Sequence, residues 1–166
     1  MIKDRDCLFL SRCKARELVR CLTVLNKTVA VAESCSAGMA ADLIARIPGA
    51  SSVFWGSFVS YSPEAKRRML GVGEECLNQY GAVSRETACA MARGAIEKSG
   101  ADFAFSITGI AGPGGDGEGR RAGTVWIALV RQGEEAEAEL FYFRGSRNQV
   151  RRKAAEKALE KLLVYI

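Results

Sequence analysis

The chain has no histidine. That removes the usual general base for a serine or cysteine nucleophile, and it removes the commonest nitrogen ligand of zinc. The six cysteines, at positions 7, 13, 21, 35, 76 and 89, include no Cys-x-x-Cys pair. No zinc cluster or dithiol couple can be read from that spacing, and no structural metal is expected. No apolar run is long enough to span a bilayer, so no membrane partner is expected. The opening stretch MIKDRDCLFLSRCK has a short apolar piece with charges on both sides and no small-residue cleavage site. We expect no signal peptide, a cytoplasmic location and reduced thiols. Internal repeats, low-complexity tracts and linkers are also missing.

What is present is a globular composition. The chain has 166 residues, 48% hydrophobic and 26% charged, enough for one domain with a proper core. The formal charge of +5 suits a small anionic substrate or nucleic acid. Its one dense basic stretch, Arg151-Arg152-Lys153, falls on a predicted helix without interleaved aromatics. Nucleic acid is therefore not the partner that the sequence favours.

The pattern along the chain alternates strands with helices. Residues 14–25 carry Leu18, Val19, Leu22 and Leu25 at helical spacing. Strands are predicted at 28–32, 53–61 and 102–108, with helices at 39–47 and 63–70. Ser84 caps a longer helix whose apolar face runs Ala88, Met91, Ala92, Ala95 and Ile96. Residues 123–130 and 138–143 read as two strands, antiparallel through Gln132-Gly133. Ser146 and Gln149 form a capping box that opens a last helix with Val150, Ala154, Ala158, Leu159 and Leu162 on its inner face. This order argues for a layered α/β domain with a mixed sheet; it does not give the strand order.

The glycine-rich run Gly112-Pro113-Gly114-Gly115-Asp116-Gly117 fits the dinucleotide fingerprint by letter. That fingerprint requires a helix directly after it, and here a strand follows. A phosphate-binding Walker loop fails too, because no Gly-Lys-Ser/Thr is present. What remains is a plain surface loop or a backbone cradle for an anion. Thr108 and Ser34 both lie just past predicted strands, where ligands of open α/β sheets sit.

Ser34 and Cys35 lie between a strand and a helix, with Ser36 reading as the N-cap. A helix start favours an oxyanion and lowers a thiol pKa. The same three residues also make an ordinary cap, and the sequence does not choose between Ser34 and Cys35. Without histidine, a lysine of lowered pKa is the available base. Lys66 follows Ser62, a good N-cap, and Pro63, a good first helical residue. A cation at the positive end of a helix is disfavoured, and partial burial acts the same way. Tyr61 stands near enough to orient the lysine or relay a proton. The alternative is a solvated lysine beside Arg67 and Arg68.

Taken together, these stretches resemble the CinA C-terminal domain family, the nicotinamide-nucleotide amidases. The resemblance rests on Glu33-Ser34-Cys35-Ser36-Ala37-Gly38, Pro48-Gly49-Ala50-Ser51, Tyr61-Ser62 with Lys66, and Gly81-Ala82-Val83-Ser84. It continues through Thr108-Gly109-Ile110-Ala111-Gly112-Pro113-Gly114-Gly115, Gly123-Thr124-Val125, Gly145, Arg147 and Arg151, in register over roughly residues 10–165. The resemblance implies a three-layer α/β/α sandwich with a mixed, mainly parallel sheet. It implies hydrolysis of nicotinamide mononucleotide to nicotinate mononucleotide and ammonia, in pyridine nucleotide salvage. Ser34 would be the nucleophile, Lys66 the base and Tyr61 an assistant. Glu33, Cys35, Ser36, Gly38, Thr108, Gly109, Ile110, Ala111, Gly112 and Arg147 would bind substrate, Arg147 at its phosphate. No metal or cofactor is implied, and a homodimer or higher oligomer is. The larger N-terminal pyrophosphatase-like domain of some members is not expected here. The family carries Thr-Gly-Gly where this chain has Ser36-Ala37-Gly38, and glycine takes a positive φ that alanine resists. The competing reading is a non-catalytic nucleotide-binding module tied to competence or DNA repair.

Overall fold

The computed structural model describes residues 4–117 and 119–166, with side chains from residue 13 onward. Residues 1–3 of the opening stretch, the Cys7 side chain and Glu118 of the glycine-rich loop lie outside the described residues. Helix α1 (Asp4–Leu25) starts before the predicted span, and Asn26, at φ 52°, turns the chain out of it. Leu18, Val19 and Leu22 are buried as the spacing requires, whereas Leu25 lies on the exposed last turn.

Strand β1 (Val29–Glu33) leads to helix α2 (Met39–Ala45), a short 3₁₀ turn at Ala50–Ser52 and strand β2 (Phe54–Val59). Helices α3 (Pro63–Leu70), α4 (Glu74–Tyr80) and α5 (Arg85–Ser99) follow, then strands β3 (Phe103–Gly109), β4 (Thr124–Arg131) and β5 (Glu137–Tyr142), and helix α6 (Arg147–Tyr165). The sheet order is β2-β1-β3-β4-β5. Ladders β1–β2 and β1–β3 are parallel, and β3–β4 and β4–β5 are antiparallel, so β4 alone runs against the others. No helix among the described residues is long and apolar enough to cross a membrane.

Alternation along the strands sets the layers. Val29, Val31, Phe103, Phe105, Ile107, Val125, Ile127 and Leu129 pack with α1, α2 and α6. Ala30, Ala32, Ala104 and Ala128 face the other way, beneath Ala88, Met91, Ala92 and Ala95 of α5. Small residues on both sides let α5 lie close to the sheet, and Ser106 Oγ donates to the Ala88 carbonyl at 2.6 Å. Gly94 lets the end of α3 approach α5 as closely: a Cβ there would stand 1.9 Å from the Leu70 carbonyl oxygen.

The topology positions the site. The chain leaves β1 toward β2 on one side, and β3 returns on the other, so β1 is the switch point of the parallel strands. Glu33 aligns with Val59 and with Ile107. The residues that follow, Ser34, Ser60 and Thr108, therefore emerge at one rim.

Candidate active site

The turn after β1 differs from an ordinary capped helix. The N-cap of α2 is Gly38, at φ 89° and with no side-chain cap, rather than Ser36 as the sequence suggested. The capping oxygens come from Glu33. Its fully buried carboxylate accepts from the N–H groups of Gly38 (3.0 Å), Ala40 (3.1 Å) and Ala41 (3.0 Å) and from Ser57 Oγ (3.1 Å). Ser36 Oγ is buried without a partner among the described residues. Ala37, where the family pattern has glycine, adopts φ 49°, a conformation costing an alanine about 1–2 kcal/mol.

Ser34 N–H donates to the Ile107 carbonyl at 2.9 Å, which ties the turn to β3. The Ala37 N–H folds back to the Ser34 carbonyl at 3.1 Å. Among the described residues, the peptide N–H of Ser36 finds no acceptor and that of Cys35 none beyond its own thiol.

Lys66 is delivered by α3. Ser62 Oγ caps that helix by accepting from Ala65 N–H at 3.1 Å, and Pro63 opens it. The lysine sits in the first turn and is fully buried. Its Nζ donates to Ser34 Oγ at 2.8 Å and to the Ser60 carbonyl at 2.9 Å. Burial pushes its pKa down to about 8. Desolvation is the cause, more than the helix end invoked from sequence. No carboxylate among the described residues forms an ion pair with it.

Cys35 is buried as well, and burial pushes its thiol up to about 12. It stays protonated at neutral pH, and no base stands at its sulfur among the described residues. Of the two neighbours that the sequence left open, Ser34 is the one with a base at hydrogen-bonding distance.

Ser34, Cys35, Tyr61, Lys66, Thr108, Arg147 and residues of the 109–115 loop line one cavity of about 320 Å³. Thr108 Oγ1 donates to the Ala82 carbonyl at 2.7 Å. Gly109 allows the loop to pass β4, because a Cβ there would lie 2.5 Å from the Thr124 carbonyl oxygen. Arg147, the first residue of α6, donates to the Gly112 carbonyl and to Tyr61 Oη, each at 2.6 Å. Tyr61 is thus held at the cavity mouth by Arg147, and the lysine is oriented by the Ser60 carbonyl instead. Glu33, Ser36 and Gly38 do not line this cavity; they build the turn beneath it. Ser60 has no place in the sequence reading, and Ala82 and Val83 enter it only as part of the resemblance, without a site role. The signal for Ser60 was its place directly after a strand that runs parallel to β1. A wider groove of about 640 Å³, bordered by Arg85, Arg121, Trp126 and Tyr142, holds neither Ser34 nor Lys66. Chemistry rather than volume marks the site.

Fold and site together define a class: a three-layer α/β protein whose switch point brings a serine hydroxyl and a buried lysine into hydrogen-bond contact. The family follows from comparison. The model of the CinA C-terminal domain matches residues 12–166, and the chain belongs to that family. It is 43% identical over 148 residues to the nicotinamide-nucleotide amidohydrolase PncC of Escherichia coli, covering 89% of this chain and 90% of that one. It is 46% identical over 134 residues to a CinA-like protein of Akkermansia muciniphila, covering 81% of this chain and 32% of the relative. The chain spans about a third of the length of the CinA-like relatives it matches. Among solved structures, the CinA superfamily protein of Escherichia coli superposes with a TM-score of 0.91 at 31% identity, over 100% of this chain and 94% of that one. The competence/damage inducible protein CihA of Agrobacterium tumefaciens gives 0.89 at 39% identity, over 93% and 94%.

Proposed function

We propose that this chain is an amidohydrolase that deamidates nicotinamide mononucleotide to nicotinate mononucleotide and ammonia. The observation that carries the reading is the buried Lys66 Nζ, 2.8 Å from Ser34 Oγ, in a cavity bordered by a cation. The amidohydrolase relative of nearly equal length supplies the substrate.

The neutral lysine takes the Ser34 proton as Oγ bonds to the carboxamide carbon. The carbonyl oxygen becomes an oxyanion, met by the N–H of Cys35, which borders the cavity, with that of Ser36 next behind it in the turn. The Lys66 ammonium returns its proton to the amide nitrogen, the C–N bond breaks and ammonia leaves. Water, deprotonated by the same lysine, then attacks the acyl-serine. The nicotinate carboxylate departs and Ser34 regains its proton. Arg147, with Tyr61 beside it, takes the substrate's 5′-phosphate at the mouth. The product suits a role in pyridine nucleotide salvage.

The test is ammonia release from nicotinamide mononucleotide by wild type and Ser34→Ala, side by side. Release by wild type alone is the expected result. No release from a folded wild type overturns the reading in favour of a binding module.

A further inference from the structure

Arg151 is unaccounted for by this chemistry. It sits one turn into α6, away from the cavity lining, and forms no ion pair among the described residues. Its guanidinium is spent on the nucleophile turn. Nε donates to the Cys35 carbonyl at 3.2 Å and Nη2 to the Ser36 carbonyl at 3.0 Å, while Nη1 donates to Asn148 Oδ1 at 3.1 Å.

We infer that Arg151 is a positioning residue that aims the oxyanion-binding N–H groups at the substrate. The inference rests on Ser34 being the nucleophile. A trans peptide unit points its C=O and N–H in opposite directions. Holding the Cys35 carbonyl against α6 therefore turns the Ser36 N–H away from α6. Holding the Ser36 carbonyl fixes the plane that carries the Ala37 N–H. That group in turn holds the Ser34 carbonyl at 3.1 Å, and the plane of the Ser34 carbonyl carries the Cys35 N–H. One guanidinium thus sets three successive peptide planes. Two carbonyl dipoles converging on one point repel without a cation between them, so the turn needs the arginine to keep this shape. The positive charge also reaches the turn: Arg151 is among the charges that favour the anionic form at Cys35. An oxyanion beside Cys35 gains from the same field. Arg147 is the cation placed to meet a phosphate, because it lines the cavity and Arg151 does not.

The experiment is the kcat and KM of ammonia release from nicotinamide mononucleotide for Arg151→Met, Arg151→Lys and Ser34→Ala, with urea unfolding of each. Losing one oxyanion donor lowers kcat by about 100-fold or more, so Arg151→Met should lose about that much with KM moved less than about threefold. Arg151→Lys should fall in between, because a compact ammonium keeps the charge but cannot fork across two carbonyls. If Arg151→Met does not fold, the lysine variant carries the test. A raised KM at unchanged kcat would make Arg151 a substrate ligand and overturn the inference. So would lowered stability with wild-type kcat, which is a structural role only. An inert Ser34→Ala beside an unaffected Arg151 variant overturns this inference alone. A Ser34→Ala variant that still turns over overturns the serine reading and this inference with it.

Discussion

Replacing Lys66 with methionine removes the proposed base and, with it, a buried cation that the fold has to desolvate. The two effects can be measured separately. Lys66 has its pKa lowered from 10.5 to about 8 by burial. At 1.36 kcal/mol per pH unit, holding the protonated lysine in place costs the folded state about 3 kcal/mol at pH 7. The sign follows from proton counting. Between pH 8 and 10.5 the unfolded chain binds the proton and the folded protein does not, so wild-type stability rises with pH through that window. Below it both states hold the proton and the full cost is present; above it neither does. Methionine leaves the Ser60 carbonyl and the Ser34 hydroxyl without their lysine donor, a loss of about 1–3 kcal/mol per buried group that is independent of pH. The difference between the two proteins is therefore the readout. Urea unfolding at pH 7 and pH 10 should show wild type gaining about 2 kcal/mol over Lys66→Met. In parallel, wild-type kcat/KM should rise with pH through about 8 as Lys66 loses its proton, and the variant should be inert. A pH-independent stability difference, or a rate that falls as pH rises through 8, would refute the reasoning.

The other predictions concern the turn. Glu33→Gln leaves one acceptor oxygen and two donors where three N–H groups and a hydroxyl converge; a loss of about 2–4 kcal/mol in urea unfolding is expected, and wild-type stability would show the cap to be dispensable. Ala37→Gly frees a residue held at φ 49°; relief of strain less the added chain entropy should raise stability by up to about 1 kcal/mol, and a lowered Tm would show that alanine sits there unstrained. Cys35→Ala should keep kcat/KM within about twofold, because a thiol held up to about 12 takes no part. Rapid alkylation of Cys35 by iodoacetamide at pH 7 in the folded protein would contradict that.

Local chemistry was legible in the sequence where a residue acts on its own neighbours. The Ser62 and Ser84 caps and the Ser146–Gln149 box each formed as their spacing requires. Helix α4 left no trace because its seven residues bury none fully, and Cys76 and Leu77, half-buried against the core, are too few to show a period. Ser36 was misread as the N-cap because the competing acceptor, Glu33, lies on the preceding strand and reaches the helix only once the turn has closed. The strand order depends on pairings between distant segments, and no local pattern encodes them. The serine–lysine pair was readable as two candidates; their 2.8 Å contact is a product of β1 and β2 running parallel and ending together.

The adjacency of Glu33 and Ser34 explains how a lysine can serve here. A carboxylate near Lys66 would hold its proton on, and the base would be lost. Glu33 is one residue from the nucleophile, yet successive strand residues point to opposite faces of the sheet. Glu33 follows Val29 and Val31 toward α2, and Ser34 follows Ala30 and Ala32 toward the α3 and α5 side. The sheet thus separates the Glu33 carboxylate, spent on α2, from the lysine beside Ser34. Shifting this strand by one residue would exchange the two faces, set Glu33 against Lys66 and leave the serine capping a helix. The alternation of β1 is therefore a requirement of the chemistry as much as of the core.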